Sequence, residues 1–296
     1  MWLFTKIARV LRDSKETYAL VNPEGSMAAT RDELEKKLGQ KLPASLEDFL
    51  FDGHAQKLKT YESRLPYRHE LASLKLLQPI ARTFKVICLS FNYSDQASWV
   101  RFGKSPPKDP VVSLKPRTSL CGAYEDIVCP RFVTQLDYEG ELALVICKKC
   151  RKVSEADALG CVAGYFIMND VSSRDIQFID KQYTRAKGFD TFGPCGPWLT
   201  TPDEVPDPCN LRLITKVNGE VRQDSSTSNL VLKIDKIIQS LSKVMTLEPG
   251  DIISTGTPSG TVLSLSSHVK YLQNGDVVEV EIEKLGKIRN RIVFAD

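Results

Sequence analysis

Glu139-Gly140-Glu141-Leu142-Ala143-Leu144-Val145-Ile146-Cys147 is the stretch on which the reading of this chain turns. Residues 141–147 are almost wholly apolar and read as a buried strand, as does the later run Val162 to Asn169, VAGYFIMN. Glu139 and Glu141 stand at i and i+2 at the entrance of the first strand, so both face one side. Asp170 closes the second run, where a turn leads into Ser172-Ser173-Arg174-Asp175. Three carboxylates from adjacent strands would make an oxygen-rich site, suited to magnesium, manganese or calcium rather than zinc or copper. Spacing alone carries little weight. Glu279, Glu281 and Glu283 repeat it, and there the glutamates read as the solvated face of a strand whose Val278, Val280 and Ile282 point the other way. Glu139 and Glu141 differ in adjoining a run that looks buried, and a buried carboxylate demands a partner.

Working outward, strands dominate from about Leu76 onward. Val86 to Ser90 is short and β-rich, Leu211 to Val217 precedes an Asn218-Gly219 hairpin signal, and Val277 to Glu283 alternates cleanly. Helical stretches are fewer: Ser94 to Phe102, Val171 to Lys181 and Ile234 to Lys243. Residues 1–77 read differently. Trp2 to Val10 and Glu16 to Val21 look like strands, Thr30 to Leu38 like a helix capped by Thr30, and Pro43 to Phe51 and Ala55 to Ser63 like further short helices. The expected class is α+β, mainly β, with a small N-terminal α/β domain over 1–77 and the catalytic domain over 78–296.

Composition excludes several functions. A formal charge of +3 over 296 residues, with no basic stripe interleaved with aromatics, does not imply a nucleic-acid partner. The apolar runs fall far short of the roughly 20 residues a membrane span needs. No signal-peptide pattern follows Met1 to Val10, so a cytoplasmic location is expected. In that compartment the eight cysteines read as small buried hydrophobes. Cys147 and Cys150 form a C-x-x-C pair, but no second pair or histidine stands near it to complete a zinc site.

Two further segments could carry chemistry. Lys187 opens the glycine-rich stretch Lys187-Gly188-Phe189-Asp190-Thr191-Phe192-Gly193-Pro194. Beside a metal and a carbonyl substrate, a lysine can stabilise an enolate or shuttle a proton, although a lone lysine in such a loop is more often a solvated charge. Ile253 to Gly260, ISTGTPSG, reads as a strand ending in a turn whose N–H groups and hydroxyls could bind a carboxylate. It lacks the Gly-Lys-Ser/Thr ending of a phosphate loop.

Taken in order over roughly residues 84–293, these segments resemble the fumarylacetoacetate hydrolase superfamily. The carriers are Ser90-Phe91-Asn92-Tyr93-Ser94-Asp95, Leu114-Lys115, Asp137-Tyr138-Glu139-Gly140-Glu141, and Asn169-Asp170-Val171-Ser172-Ser173-Arg174-Asp175 with Gln177. Thr118-Ser119 and Gly122, Gly164-Tyr165, Lys187 with Phe189-Asp190-Thr191-Phe192, Gly196-Pro197-Trp198, Val217-Asn218-Gly219-Glu220, Leu247-Glu248-Pro249-Gly250-Asp251, and Thr255-Gly256-Thr257-Pro258-Ser259-Gly260 complete the set. The resemblance implies a β-sandwich roll, usually dimeric, behind a small N-terminal domain. It implies that Glu139, Glu141 and Asp170 ligate Mg2+, Mn2+ or Ca2+ and that Lys187 is the active-site lysine. It implies that Arg174, Gln177 and Thr257 meet the substrate's carboxylate end, and that Lys115 borders the cavity. The implied substrate is a small 2-oxo or 1,3-dicarbonyl acid, and the implied chemistry C–C hydrolysis, decarboxylation or isomerisation.

One departure bears on the reaction. Where many members carry a histidine and, three residues on, a glutamate that activate water, this chain has Gln96 and Trp99. Glutamine cannot take a proton near neutral pH, and a missing general base costs ~10²–10⁴-fold in rate. Enolisation and decarboxylation need no attacking water, so the substitution favours them over hydrolysis. The alternative is a decayed, non-catalytic binding protein, which would be expected to have lost its metal ligands as well.

Overall fold

The computed structural model describes residues 6–52, 65–95, 107–264 and 270–296. Among these, three sheets and a few short helices make up the fold. The largest sheet has twelve strands, another has five and the third is a two-stranded pair. The runs Gly140–Ile146 and Val162–Asn169 lie side by side, antiparallel, in the middle of the large sheet. Every residue of both is buried.

Burial on two faces explains why these strands are apolar throughout rather than alternating. On one face Leu142, Leu144, Ile146 and Ile167 join a core with Val278, Val280 and Ile282 of the five-stranded sheet. On the other, Ala143, Val145, Phe166 and Met168 pack with Tyr18, Leu34 and Phe49 from the N-terminal part of the chain. The sheet is thus covered by a second sheet on one side and by short helices on the other. Ile234–Val244, the longest helix described, buries Ile237, Ile238 and Leu241 against the first of these cores.

Most local expectations hold within a residue or two. Thr30 precedes a helix at Arg31–Leu38, and Glu33 accepts the Thr30 N–H at 3.0 Å. Asn218 and Gly219 both take positive φ in the turn joining Arg212–Val217 to Glu220–Ser226. The expected helix over Val171 to Lys181 begins only at Arg174, because Ser172–Ser173 pairs as a short strand with Leu136–Asp137. The expectation at Pro43 to Phe51 shortens to Leu46–Phe51, started by the Ser45 side chain. Ala55 to Ser63 and most of Ser94 to Phe102 lie outside the described residues.

Residues 6–30 do not stand apart from the large sheet. Lys6–Arg12 pairs with Gly193–Thr200, a neighbour of Val162–Asn169, and carries Lys15–Val21 and Met27–Thr30 outward beyond it.

Candidate active site

Register puts the acidic residues together. Gly140 lies opposite Asn169 in the central pair, so Glu139 and Asp170 are the next cross-strand neighbours, joined by an Asp170 N–H bond to the Glu139 carbonyl at 2.9 Å. Glu141 projects to the same side from two residues on. The three carboxylates offer ligand oxygens that all lie within 4.8 Å of one another. The intervening residue has to be glycine, because a Cβ at 140 would stand 2.4 Å from Thr215 Oγ1 of the five-stranded sheet.

Each carboxylate is held differently. Glu141 is fully buried; its Oε2 accepts from Ser254 Oγ at 2.5 Å and from the Gly256 N–H at 3.0 Å. Its Oε1 is buried with no hydrogen-bond partner among the described residues. Burial, then the charges of Asp170 and Glu139, push the Glu141 carboxyl far above the ordinary range. Asp170 is equally buried, and burial acts to raise its pKa too. Lys115 and Lys187 overcome that effect and bring it down to about 2. Glu139 accepts from Arg174 Nη2 and Lys187 Nζ, both at 2.6 Å.

Lys187 comes to the same cluster. Lys187 Nζ bridges Glu139 Oε2 and Asp170 Oδ2 at 2.6 and 2.8 Å. Burial acts to lower its pKa, but the two carboxylates more than offset this and keep the ammonium above the usual lysine range. Lys115 pairs with Asp170 Oδ1 at 2.8 Å and lies behind the cluster, fully buried and outside the cavity lining. Arg174 Nη1 donates to Gln177 Oε1 at 2.8 Å, which assigns the Gln177 amide oxygen as acceptor and leaves its nitrogen as a donor. The Thr257 hydroxyl donates to the Gly140 carbonyl at 2.9 Å and accepts from Gln223 at 2.8 Å.

Part of this cluster borders a cavity of about 420 Å³, whose polar lining includes Glu139, Arg174, Gln177, Lys187 and Thr257 but not Glu141 or Asp170. Four buried carboxylates, Asp137, Glu139, Glu141 and Asp170, face three buried cations, Lys115, Arg174 and Lys187. With all four ionised, one negative charge would be left over, and Glu141, whose Oε1 has no hydrogen-bond partner among the described residues, is the carboxyl whose charge burial disfavours. An all-oxygen donor set with an unmatched charge and an unpartnered oxygen fits a hard divalent cation.

Sequence reasoning gave no role of their own to Asp137 and Gln223, both fully buried here. The first was visible only as part of a motif, and nothing local singles out the second. Gln96 and Trp99 lie outside the described residues.

Residues 85–293 match the sequence model of the family described as Fumarylacetoacetate (FAA) hydrolase C-terminal. The chain belongs to the fumarylacetoacetate hydrolase family. It is 40% identical over 261 residues to oxaloacetate tautomerase FAHD2A, mitochondrial, of Bos taurus, covering 85% of this chain and 81% of that protein. The crystal structure of 2-hydroxyhepta-2,4-diene-1,7-dioate isomerase from Mycobacterium marinum superposes with a TM-score of 0.75 at 33% identity, over 98% of each chain. That of maleylpyruvate hydrolase from Sphingobium sp. SYK-6 gives 0.79 at 29% identity, over 98% of this chain and 100% of the other. The fold is that of the family, mostly sheet with few helices, and the chain is an enzyme of isomerase-like kinship. Among the described residues, no helix is long and apolar enough to cross a membrane.

Proposed function

We propose that this enzyme catalyses keto–enol isomerisation of a small 2-oxo acid, with a divalent ion, Mg2+ or Mn2+, held by Glu139, Glu141 and Asp170. The observation that carries the reading is the convergence of these three carboxylates with Lys187 beside one cavity, which Glu139 and Lys187 line, with Glu141 Oε1 left without a hydrogen-bond partner among the described residues. When bound, the ion supplies positive charge that stabilises an enolate.

The chain's own groups account for the remaining requirements. The Gln177 amide and the Arg174 guanidinium hold the substrate carboxylate at the cavity floor. Lys187 Nζ, in its neutral form, takes a proton from the carbon next to the 2-oxo group, and its ammonium returns one to the oxygen. The same carboxylates that keep Lys187 protonated are those that would hold the ion. An ion drawing on their charge removes that support and lowers the lysine pKa toward the working range.

Gln96 and Trp99, in place of the water-activating pair, favour isomerisation or decarboxylation over hydrolysis. The names of the bovine tautomerase and the mycobacterial isomerase point the same way. Residues 78–296 carry the catalytic unit on this reading, in agreement with the span of the family match, with 1–77 as its companion domain in a homodimer. The test is an enol–keto assay on oxaloacetate, run beside hydrolysis of an acylpyruvate, with and without Mg2+. Metal-dependent tautomerisation with little hydrolysis is expected. Hydrolysis at ordinary enzyme rates with no tautomerisation would overturn the proposal.

A further inference from the structure

Arg174, Gln177, Phe178 and Lys181 all line the cavity and stand at i, i+3, i+4 and i+7. The first three lie on the Arg174–Asp180 helix and the fourth is its left-handed cap. This is one helical face, and its exposure rises steadily along it. Arg174 is 2% exposed, Phe178 is 50% exposed and Lys181 lies in solvent. The helix therefore runs from the floor of the cavity to its mouth. Four residues of helix advance about 6 Å, so Phe178 meets whatever extends several carbon atoms from a group held at Arg174.

Phe178 shares the cavity lining with other large side chains that carry apolar surface. Leu89, Phe91, Leu263 and Tyr183 line the same cavity. Phe91 is held there at φ 60°, a backbone conformation that phenylalanine rarely adopts. A half-exposed aromatic in a cavity that other apolar side chains also line gains from covering by another apolar surface. The volume of about 420 Å³ also exceeds what a three- or four-carbon acid fills.

We infer that the cavity is built for a 2-oxo acid bearing an apolar tail of several carbons, with Phe178 as the residue that selects for it. The inference rests on the proposed function, whose carboxylate-binding end it extends. The rival is a second carboxylate at the far end, taken by Lys181. Among the described residues Lys181 has no ion-pair partner, but it sits at the solvent edge, where such a pair contributes little.

Oxamates are stable, planar mimics of the enolate and carry a tail on nitrogen. Calorimetric titration with Mg2+ present would compare oxalate, N-ethyloxamate, N-butyloxamate and N-(3-carboxypropyl)oxamate. The butyl compound should bind about fifteen-fold tighter than the ethyl one, from roughly four-fold per buried methylene. Phe178→Ala should cut that ratio to about three-fold or less, and Phe178→Leu should restore most of it. A ratio near one in the natural enzyme, or one unchanged by Phe178→Ala, overturns the inference. So does tighter binding of the carboxypropyl compound that Lys181→Ala abolishes. Failure of oxalate itself to bind overturns the functional reading and this inference with it, whereas oxalate binding with a flat tail dependence sinks only the tail.

Discussion

Arg174 and Asp137 form a charge pair sealed inside the protein: Nε and Nη2 lie 2.9 and 2.8 Å from the same Asp137 Oδ2. Asp137 Oδ1 meanwhile accepts the N–H groups of Tyr138 at 2.9 Å and Val262 at 3.0 Å. One carboxylate thus ties the cavity's arginine to the loop that supplies Leu263 and Ser264 to its wall. Asp137→Asn leaves the buried guanidinium with one partner fewer and should lower stability by about 3–5 kcal/mol. Urea unfolding is the check, and a change below about 1 kcal/mol would show that the pair is not what holds the loop.

Glu141 should behave in the opposite sense. Its charge is disfavoured by burial and by its acidic neighbours, so Glu141→Gln removes a repulsion while its oxygen can still accept from Ser254 and Gly256. Without metal the variant should melt higher than the natural protein, by about 2–4 °C for each kcal/mol relieved. Added Mg2+ or Mn2+ should raise the melting temperature of the natural protein but not of the variant. Equal metal response in both would remove Glu141 from the ligand set.

The same raised pKa gives metal binding a pH dependence. In the metal-free protein Glu141 holds a proton well above the usual carboxylate range, and a cation can bind only after displacing it. Apparent affinity should therefore rise with pH until Glu141 ionises on its own, and binding should release protons. Titration in two buffers of different ionisation enthalpy measures that release; none at any pH over which the affinity is still rising would contradict the assignment.

Lys187→Met keeps a chain of similar length but carries no proton. Loss of ~10²–10⁴-fold in turnover is expected, with metal binding retained or strengthened because the ammonium no longer competes for Glu139 and Asp170. Normal turnover in this variant would move the proton transfer to another group.

Chelation should act on both properties at once. Prolonged EDTA treatment should abolish isomerisation and lower the melting temperature, and Mn2+ or Mg2+ should restore both. Activity that survives complete metal removal, verified by elemental analysis, would leave the three carboxylates without the role given them.

Much of this site was visible in the linear chain because its pattern is local. The alternation rule places Glu139 and Glu141 on one side of a strand whatever that strand pairs with. The apolar runs after Glu141 and before Asp170 declare burial, and burial makes their terminal carboxylates conspicuous. The helical repeat from Arg174 reaches Gln177 directly, and carried one residue further it would have flagged Phe178 as well.

What the chain could not declare is register and distance. Glu139 meets Asp170 only because Gly140 pairs with Asn169, and a slip of one residue would turn one strand's side chains to the other face. That choice is made by the summed burial of two cores on either side of the sheet, contributed by residues scattered from Ile7 to Ile292. Lys115, Gln223 and the Ser254 hydroxyl arrive from distant segments, and Asp137 acquires its role only when Arg174 turns back onto it. Local periodicity determined which way the acidic side chains point; long-range packing alone decided what they face.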